Sequence, residues 1–102
     1  MLVTVEDSNF SKEVLEYEGV VFVDFYADWC GPCRMLLPII NEVSEEMPGV
    51  KFTMINVDES PDVARVFEVR NLPTLLVFNA GEMVNRHVGS LTKIEIKHFV
   101  TV

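Results

Sequence analysis

Cys30 and Cys33 are the only cysteines of the chain, and they stand three residues apart in the run Trp-Cys-Gly-Pro-Cys at positions 29–33. Residues at this spacing on a helix share one face and lie about 5–6 Å apart, which suits the separation that a disulfide requires. The closed loop holds about four residues, so the chain-entropy estimate of its stabilisation is only about 2 kcal/mol. A disulfide between the two cysteines would therefore stabilise the fold only weakly, and its spacing favours a reversible dithiol.

The position of Cys30 predicts which of the two thiols is the nucleophile. Cys30 lies where a helix is expected to begin, and the free N–H groups and dipole of a helix N-terminus favour a thiolate. Cys33 lies one turn further on, where a thiol is more shielded. It is suited to attack the mixed disulfide between Cys30 and a substrate sulfur, which releases the reduced substrate.

Two simpler interpretations of the cysteine pair stay open at this point. The pair could be half of a zinc site, but zinc usually takes four ligands and the only histidines, His87 and His98, lie far along the chain. The pair could also be two inert buried thiols. The Gly-Pro dipeptide between the cysteines and the expected helix start argue against that, and we expect no metal.

Asp24 is the second residue that points to chemistry, because it interrupts an otherwise apolar strand. An ionised carboxylate in such a place is costly unless it is paired or stays protonated. We predict that Asp24 accepts the proton of Cys33 when that thiol attacks, either directly or through water. The alternative is an aspartate at a strand end that points to solvent.

Five strands and four helices are expected to position these residues. Residues 20–26 are apolar on both alternating faces, which is typical of a central strand covered on two sides. The other strands are predicted at residues 3–5, 51–57, 75–78 and 83–88, and the helices at residues 10–18, from 31 to about 47, from 60 to near 69, and after residue 92. The order β-α-β-α-β-α-β-β-α predicts an α/β fold, a mixed five-stranded sheet with helices on both faces.

Local signals predict how the helices begin and which of their residues are apolar. The side-chain oxygens of residues 7–9 are expected to cap the first helix, and Ser60 the third. Thr92 and Glu95 have the spacing of a capping box for the last. Apolar residues recur at helical spacing at Met35, Leu36, Ile39, Ile40 and Val43 in the second helix, and at Ile94, Ile96, Phe99 and Val100 in the last.

Composition limits the class of protein. The 102 residues, about half of them apolar, suit one compact domain spanning residues 1–102. Acidic residues outnumber basic ones by 16 to 8, so the surface repels phosphate backbones and anionic headgroups, and we expect neither nucleic acid nor membrane as a partner. The first residues lack the features of a secretion signal, and no apolar run approaches the roughly 20 residues of a membrane span. The expected location is the cytoplasm.

The segment of residues 23–35, Val-Asp-Phe-Tyr-Ala-Asp-Trp-Cys-Gly-Pro-Cys-Arg-Met, closely resembles the thioredoxin family. The resemblance extends over nearly the whole chain. Further matches are Pro38, the run Asn-Val-Asp at positions 56–58, the run Leu-Pro-Thr-Leu at positions 72–75, Gly81, and Val-Gly at positions 88–89.

The resemblance implies a thioredoxin fold and a cytosolic protein-disulfide reductase. It implies a monomer that acts on disulfide-containing proteins, is recharged by a thioredoxin reductase, and needs no cofactor besides the redox-active Cys30–Cys33 disulfide. Gly31 and Pro32 are expected to tune the redox potential. They resemble the reducing members, because oxidases and isomerases of this fold usually carry a histidine between the cysteines.

The resemblance also implies where substrates dock. Pro73 is expected to follow a cis peptide bond beside the dithiol. A flat apolar surface is expected to accept an extended substrate segment, which hydrogen-bonds to the backbone of Leu72. Its expected members are Trp29, Gly31, Pro32, Leu72, Pro73, Val88 and Gly89, and they are called the docking surface below.

Two residues depart from the family pattern. Met54 stands where many members carry a lysine close to the buried aspartate, so we predict that Asp24 has no close positive charge, that its pKa is raised, and that its burial costs stability at neutral pH. Tyr26 stands where many members carry tryptophan. This second change is expected to leave the dithiol chemistry intact.

Two other functions compete with the reductase. One is a disulfide oxidase or isomerase, which Gly31-Pro32 and the lack of an export signal disfavour. The other is a binding module that regulates a partner while its dithiol only senses redox state.

Overall fold

The computed structural model describes residues 1–102 and confirms the predicted order of elements. The helical elements are a π-helical segment at Ser11–Leu15, α1 at Gly31–Glu46, α2 at Pro61–Val66 and α3 at Lys93–Phe99. The strands are β1 at Leu2–Val5, β2 at Val20–Tyr26, β3 at Val50–Asn56, β4 at Thr74–Asn79 and β5 at Glu82–Val88. No helix in the structure is both long enough and apolar enough to cross a membrane.

The strands form one five-stranded mixed sheet in the order β1-β3-β2-β4-β5. β1 and β2 run parallel to β3, whereas β4 runs antiparallel to both β2 and β5. β2 is therefore central, as its apolar residues predicted, and residues 21–25 are fully buried. The strand that ends at the dithiol is thus held by neighbours on both sides.

Each face of the sheet carries its own hydrophobic core. Alternate residues of a strand point to opposite faces, so Val21, Val23 and Phe25 of β2 pack with the π-helical segment and α2, whereas Phe22 packs with α1 and α3. The alternation places Asp24 on the same face as Phe22. Asp24 therefore points toward the side of the sheet that α1 covers.

Two apolar residues that the pattern assigned to helix faces lie outside the core. Met35 of α1 is 78 % exposed and Ile94 of α3 is 68 % exposed. The face of α1 that packs on the sheet is formed by Cys33, Leu36, Ile40 and Val43, which leaves Met35 on the outer side. The apolar face of a helix can therefore be wider than the part of the helix surface that is buried in the fold.

The first helix differs from its prediction in both type and capping. It is a five-residue π-helical segment, Ser11–Leu15, with no side-chain hydrogen bond at its N-cap. The Asp7 carboxylate instead accepts the N–H groups of Asp62 and Val63, at 3.0 and 2.9 Å, at the start of α2. The predicted Ser60 cap of α2 is also wrong, because the Ser60 hydroxyl accepts the N–H of Asp7 at 3.1 Å.

Other local signals are confirmed. Thr92 and Glu95 form the predicted capping box of α3. The hairpin between β4 and β5 turns at Ala80 and Gly81, whose φ angles are +51° and +83°. A Cβ atom on Gly81 would also overlap the carbonyl oxygen of Leu15, so the turn requires glycine there.

Candidate active site

The dithiol lies at the junction between β2 and α1. Cys30 is the N-cap of α1 and is joined to Cys33 by a disulfide with a Cα–Cα distance of 5.3 Å. Pro32 lies in the first turn of α1, where a missing N–H breaks no intrahelical hydrogen bond. The junction thus places both cysteines at a helix N-terminus, as the sequence predicted.

One of the two sulfur atoms accepts a hydrogen bond from the backbone. The N–H of Cys33 donates a hydrogen bond to Sγ of Cys30 at 3.2 Å. An N–H group aimed at sulfur at the positive end of a helix stabilises a thiolate there. Both cysteines are buried, with Cys30 5 % and Cys33 2 % exposed, so the hydrogen bond rather than exposure distinguishes the two sulfur atoms. The hydrogen bond therefore favours a negative charge on the sulfur of Cys30.

Asp24 is completely buried, and neither of its carboxylate oxygens has a hydrogen-bond partner. Its neighbours across the sheet are Met54 on β3 and Leu75 on β4, both apolar. Burial raises the pKa of Asp24 from its ordinary value of 3.8 to about 7. The alternative of an aspartate that points to solvent is wrong. Asp24 is desolvated, as predicted, because the two side chains beside it are apolar.

One residue of the docking surface, Leu72, packs against the dithiol, and a backbone hydrogen bond joins two others, Pro73 and Gly89. The Leu72–Pro73 peptide bond is cis, and Leu72 packs against the small cluster of Ala27, Cys30 and Cys33. The N–H of Gly89 donates to the carbonyl of Pro73 at 2.8 Å, which joins the end of β5 to this loop. Val88, directly before Gly89, is half exposed.

Trp29 is an exposed member of the docking surface, and its side chain forms a hydrogen bond. The indole is 69 % exposed, and its N–H donates to Oδ2 of Asp58 at 2.9 Å. Asn56 orders that loop, because its side-chain oxygen accepts the N–H groups of Asp58 and Glu59. The sequence indicates Asn56 and Asp58 only as part of a run that resembles the family, and their roles depend on contacts that local spacing does not reveal.

A cavity of about 260 Å³ lies beside Cys33 and was not predicted. Arg34 forms part of its wall and donates to the carbonyl oxygen of Asp28 at 2.8 Å. The cavity is lined by Tyr26, Ala27, Asp28, Cys33, Arg34 and Leu37. Tyr26 thus lines the same cavity as Cys33. Burial, and then the charge of Asp28, raise the pKa of its phenol.

No cluster of three or more His, Cys, Asp or Glu side chains is placed to hold a metal ion. The cysteines, which a zinc site would need, are bonded to each other. The redox group that the site contains is the Cys30–Cys33 pair.

Known proteins resemble this chain throughout its length. The family model described as Thioredoxin matches residues 1–102. A thioredoxin of Buchnera aphidicola subsp. Schizaphis graminum is 37 % identical over 97 % of this chain and 93 % of the relative. A thioredoxin of Rickettsia felis is 48 % identical over 83 % of this chain and 82 % of the relative. A thioredoxin 1 of a Nostoc species is 43 % identical over 87 % of this chain and 84 % of the relative.

Proposed function

Because the chain belongs to the thioredoxin family and is a protein-disulfide reductase, we propose that Cys30 is its nucleophile and Cys33 its resolving thiol. The observation that carries this assignment is the hydrogen bond from the N–H of Cys33 to Sγ of Cys30 at the start of α1. A negative charge on the Cys30 sulfur is stabilised by this bond and by the helix dipole. The Cys33 sulfur receives no such bond.

Reduction proceeds through two exchanges that transfer two electrons to the substrate. The Cys30 thiolate attacks one sulfur of the substrate disulfide, the substrate S–S bond breaks, and the departing substrate sulfur takes a proton. Cys33 then loses its proton and attacks the Cys30 sulfur. This forms the Cys30–Cys33 disulfide and breaks the bond between Cys30 and the substrate, whose second sulfur leaves as a thiolate and takes a proton from solvent.

Asp24 is the proposed acceptor of the Cys33 proton, directly or through water. A pKa of about 7 suits a group that must both accept and return a proton near neutral pH. Asp24 also has no hydrogen bond or ion pair that would hold it in one protonation state. It returns the proton when the dithiol is regenerated.

The docking surface accepts an extended segment that contains the substrate disulfide. Its proposed members are Trp29, Gly31, Pro32, Leu72, Pro73, Val88 and Gly89. The backbone of Leu72 offers hydrogen bonds to that segment, and exposed apolar atoms of Trp29 and Val88 flank it. Gly31 and Pro32 keep the dithiol reducing, since they place no cation beside the Cys30 sulfur.

The proposed setting is the cytoplasm, where the chain acts as a monomer in electron transport and keeps cellular thiols reduced. A thioredoxin reductase is the proposed electron donor, and disulfide-containing proteins are the acceptors. The net charge of −8 is consistent with partners other than nucleic acid or anionic membranes.

The test is the dithiothreitol-driven reduction of insulin disulfides by the wild-type protein and by Cys30→Ser and Cys33→Ser variants. We expect strong acceleration by the wild type and none by Cys30→Ser. Cys33→Ser should accumulate a mixed disulfide with the substrate through Cys30, visible by mass spectrometry. Equal acceleration by the wild type and Cys30→Ser would contradict the assignment, as would trapping through Cys33 in the Cys30→Ser variant.

A further inference from the structure

Arg86 on β5 makes two hydrogen bonds to a distant turn of the backbone. Its Nη1 donates to the carbonyl oxygen of Phe67 at 2.7 Å, and its Nη2 donates to that of Glu68 at 3.1 Å. No backbone N–H outside the helices and strands reaches either carbonyl. The guanidinium therefore supplies hydrogen-bond donors to the two carbonyls that directly follow α2.

This turn is an unusual point in the chain, and its conformation needs support. Helix α2 has six residues, and Glu68 follows its end with a φ angle of +53°. A side chain other than glycine is disfavoured in this left-handed region. A cation held directly beyond the C-terminus of a helix also interacts favourably with the negative end of its dipole. Arg86 therefore stabilises both the helix end and the backbone direction that follows it.

The residues that follow the turn lead directly to the docking surface. Only residues 69–72 separate Glu68 from Pro73, and the Pro73 carbonyl accepts the N–H of Gly89 at 2.8 Å. β5 and the residue after it therefore hold this segment at both ends, through Arg86 at the start and through Gly89 at the finish. Val88, a docking residue itself, lies between these two contacts along the same strand.

We propose that Arg86 is a positioning residue for substrate docking, which sets the path of residues 69–72 so that the Leu72 backbone meets an extended substrate segment. The proposal rests on the proposed function, because it assumes that substrate docks at Leu72. A planar guanidinium presents two N–H groups in a fixed fork and can satisfy two successive carbonyls, whereas an ammonium group is a single point charge. Arginine is thus required rather than positive charge alone.

The experiment compares two substrates with the wild type and with Arg86→Gln, Arg86→Lys and Arg65→Gln. The first substrate is an extended peptide with one disulfide, and the second is 5,5′-dithiobis(2-nitrobenzoate), which has no peptide backbone to dock. Arg65 is the matched control, because it is an exposed arginine of α2 whose ion pair is with the exposed Asp62. All assays run well below the melting temperature of each variant.

We expect Arg86→Gln to raise KM for the peptide about 3- to 10-fold, with a much smaller change in kcat. The ratio of kcat/KM for the peptide to kcat/KM for the small disulfide should fall by the same factor. Arg86→Lys should rescue the ratio only in part, and Arg65→Gln should leave it unchanged. A merely structural role would lower the melting temperature without changing this ratio.

An unchanged ratio in folded Arg86→Gln would overturn the inference, as would full rescue by Arg86→Lys. Equal losses with both substrates would also overturn it. If the wild type itself reduces neither substrate, the proposed function fails instead, and the two failures are therefore distinguishable.

Discussion

The burial of the Asp24 carboxyl group lowers the stability of the folded protein at neutral pH. Its neighbours across the sheet are Met54 and Leu75, and no cation or hydrogen-bond donor reaches its oxygens. The folded protein holds the Asp24 proton up to about pH 7, whereas an unfolded chain releases it near the ordinary value of 3.8. Between these values the folded state binds more protons, so the free energy of unfolding falls as pH rises and stays low above pH 7.

We predict that Asp24→Asn raises the melting temperature at pH 8. A pKa difference of about 3 units corresponds to about 4 kcal/mol of lost stability. A buried amide without partners costs about 1–3 kcal/mol, so the net gain is about 1–3 kcal/mol, or roughly 5–20 °C. Near pH 4, where Asp24 is neutral in the folded protein, the variant should be no more stable than the wild type. A melting temperature that is unchanged or lower at pH 8 would show that the charge is not destabilising.

Met54→Lys is the companion variant to Asp24→Asn. It places an ammonium group on the strand next to Asp24, at the paired position of β3. The pKa of Asp24, followed by carboxyl NMR, should fall by about 1 unit or more. An unchanged titration would mean that the neighbouring strand position does not control this carboxyl group.

At the scale of elements, the start of α2 depends on a residue from another part of the chain. Asp7, which follows β1, accepts the N–H groups of Asp62 and Val63, and its own N–H is bound by Ser60. Helix α2 is short, so most of its stability must come from such contacts rather than from its own propensity. The same helix ends at the turn that Arg86 binds. Both ends of α2 are therefore held by side chains from elsewhere.

We predict that Asp7→Ala lowers the free energy of unfolding by about 1–2 kcal/mol, because two N–H groups of α2 lose their acceptor. This corresponds to roughly 5–15 °C in melting temperature for a domain of this size. Asp7→Asn should lose less, since one acceptor oxygen remains. Ser8→Ala is the matched control, because Ser8 is exposed and makes no side-chain hydrogen bond. Equal melting temperatures for Asp7→Ala and Ser8→Ala would refute the contribution of the cap.

At the scale of the whole molecule, negative charge dominates the field that an approaching substrate meets. The net charge is −8. Exposed acidic residues also lie close to the dithiol, among them Asp28 just before Trp29 and Asp58 bound to the indole N–H. A field of one sign accelerates encounter with oppositely charged partners, and salt weakens the effect.

We predict that the protein reduces a cationic peptide disulfide faster than an anionic one of the same length. The kcat/KM ratio between the two should be about 3- to 10-fold at low ionic strength and approach 1 at about 0.5 M salt. An uncharged peptide should show little salt dependence and serves as the control. A ratio that does not change with salt would mean that local contacts, rather than the overall field, set the preference.

Local patterns along the chain determine the order of elements and the location of the dithiol. The apolar run of β2, the capping box at Thr92 and the glycine turn at Gly81 each depend on a few neighbouring residues, and all three are present in the structure. Cys30 and Cys33 are likewise three residues apart, so the spacing alone predicts that they can bond. Such features need no knowledge of the tertiary fold, because strand and helix periodicity act over short distances.

Only the folded chain decides which distant residues meet. Asp7 was predicted to cap the helix that follows it but caps α2, because a carboxylate binds whichever free N–H groups the fold brings near. Arg86 shows no local signal, and its role follows from the contact between β5 and the end of α2. Met35 and Ile94 have the pattern of core residues but face outward, because the area of the sheet limits how much apolar surface is buried. Long-range contacts and limited core area are properties of the assembled sheet, and no stretch of sequence contains them.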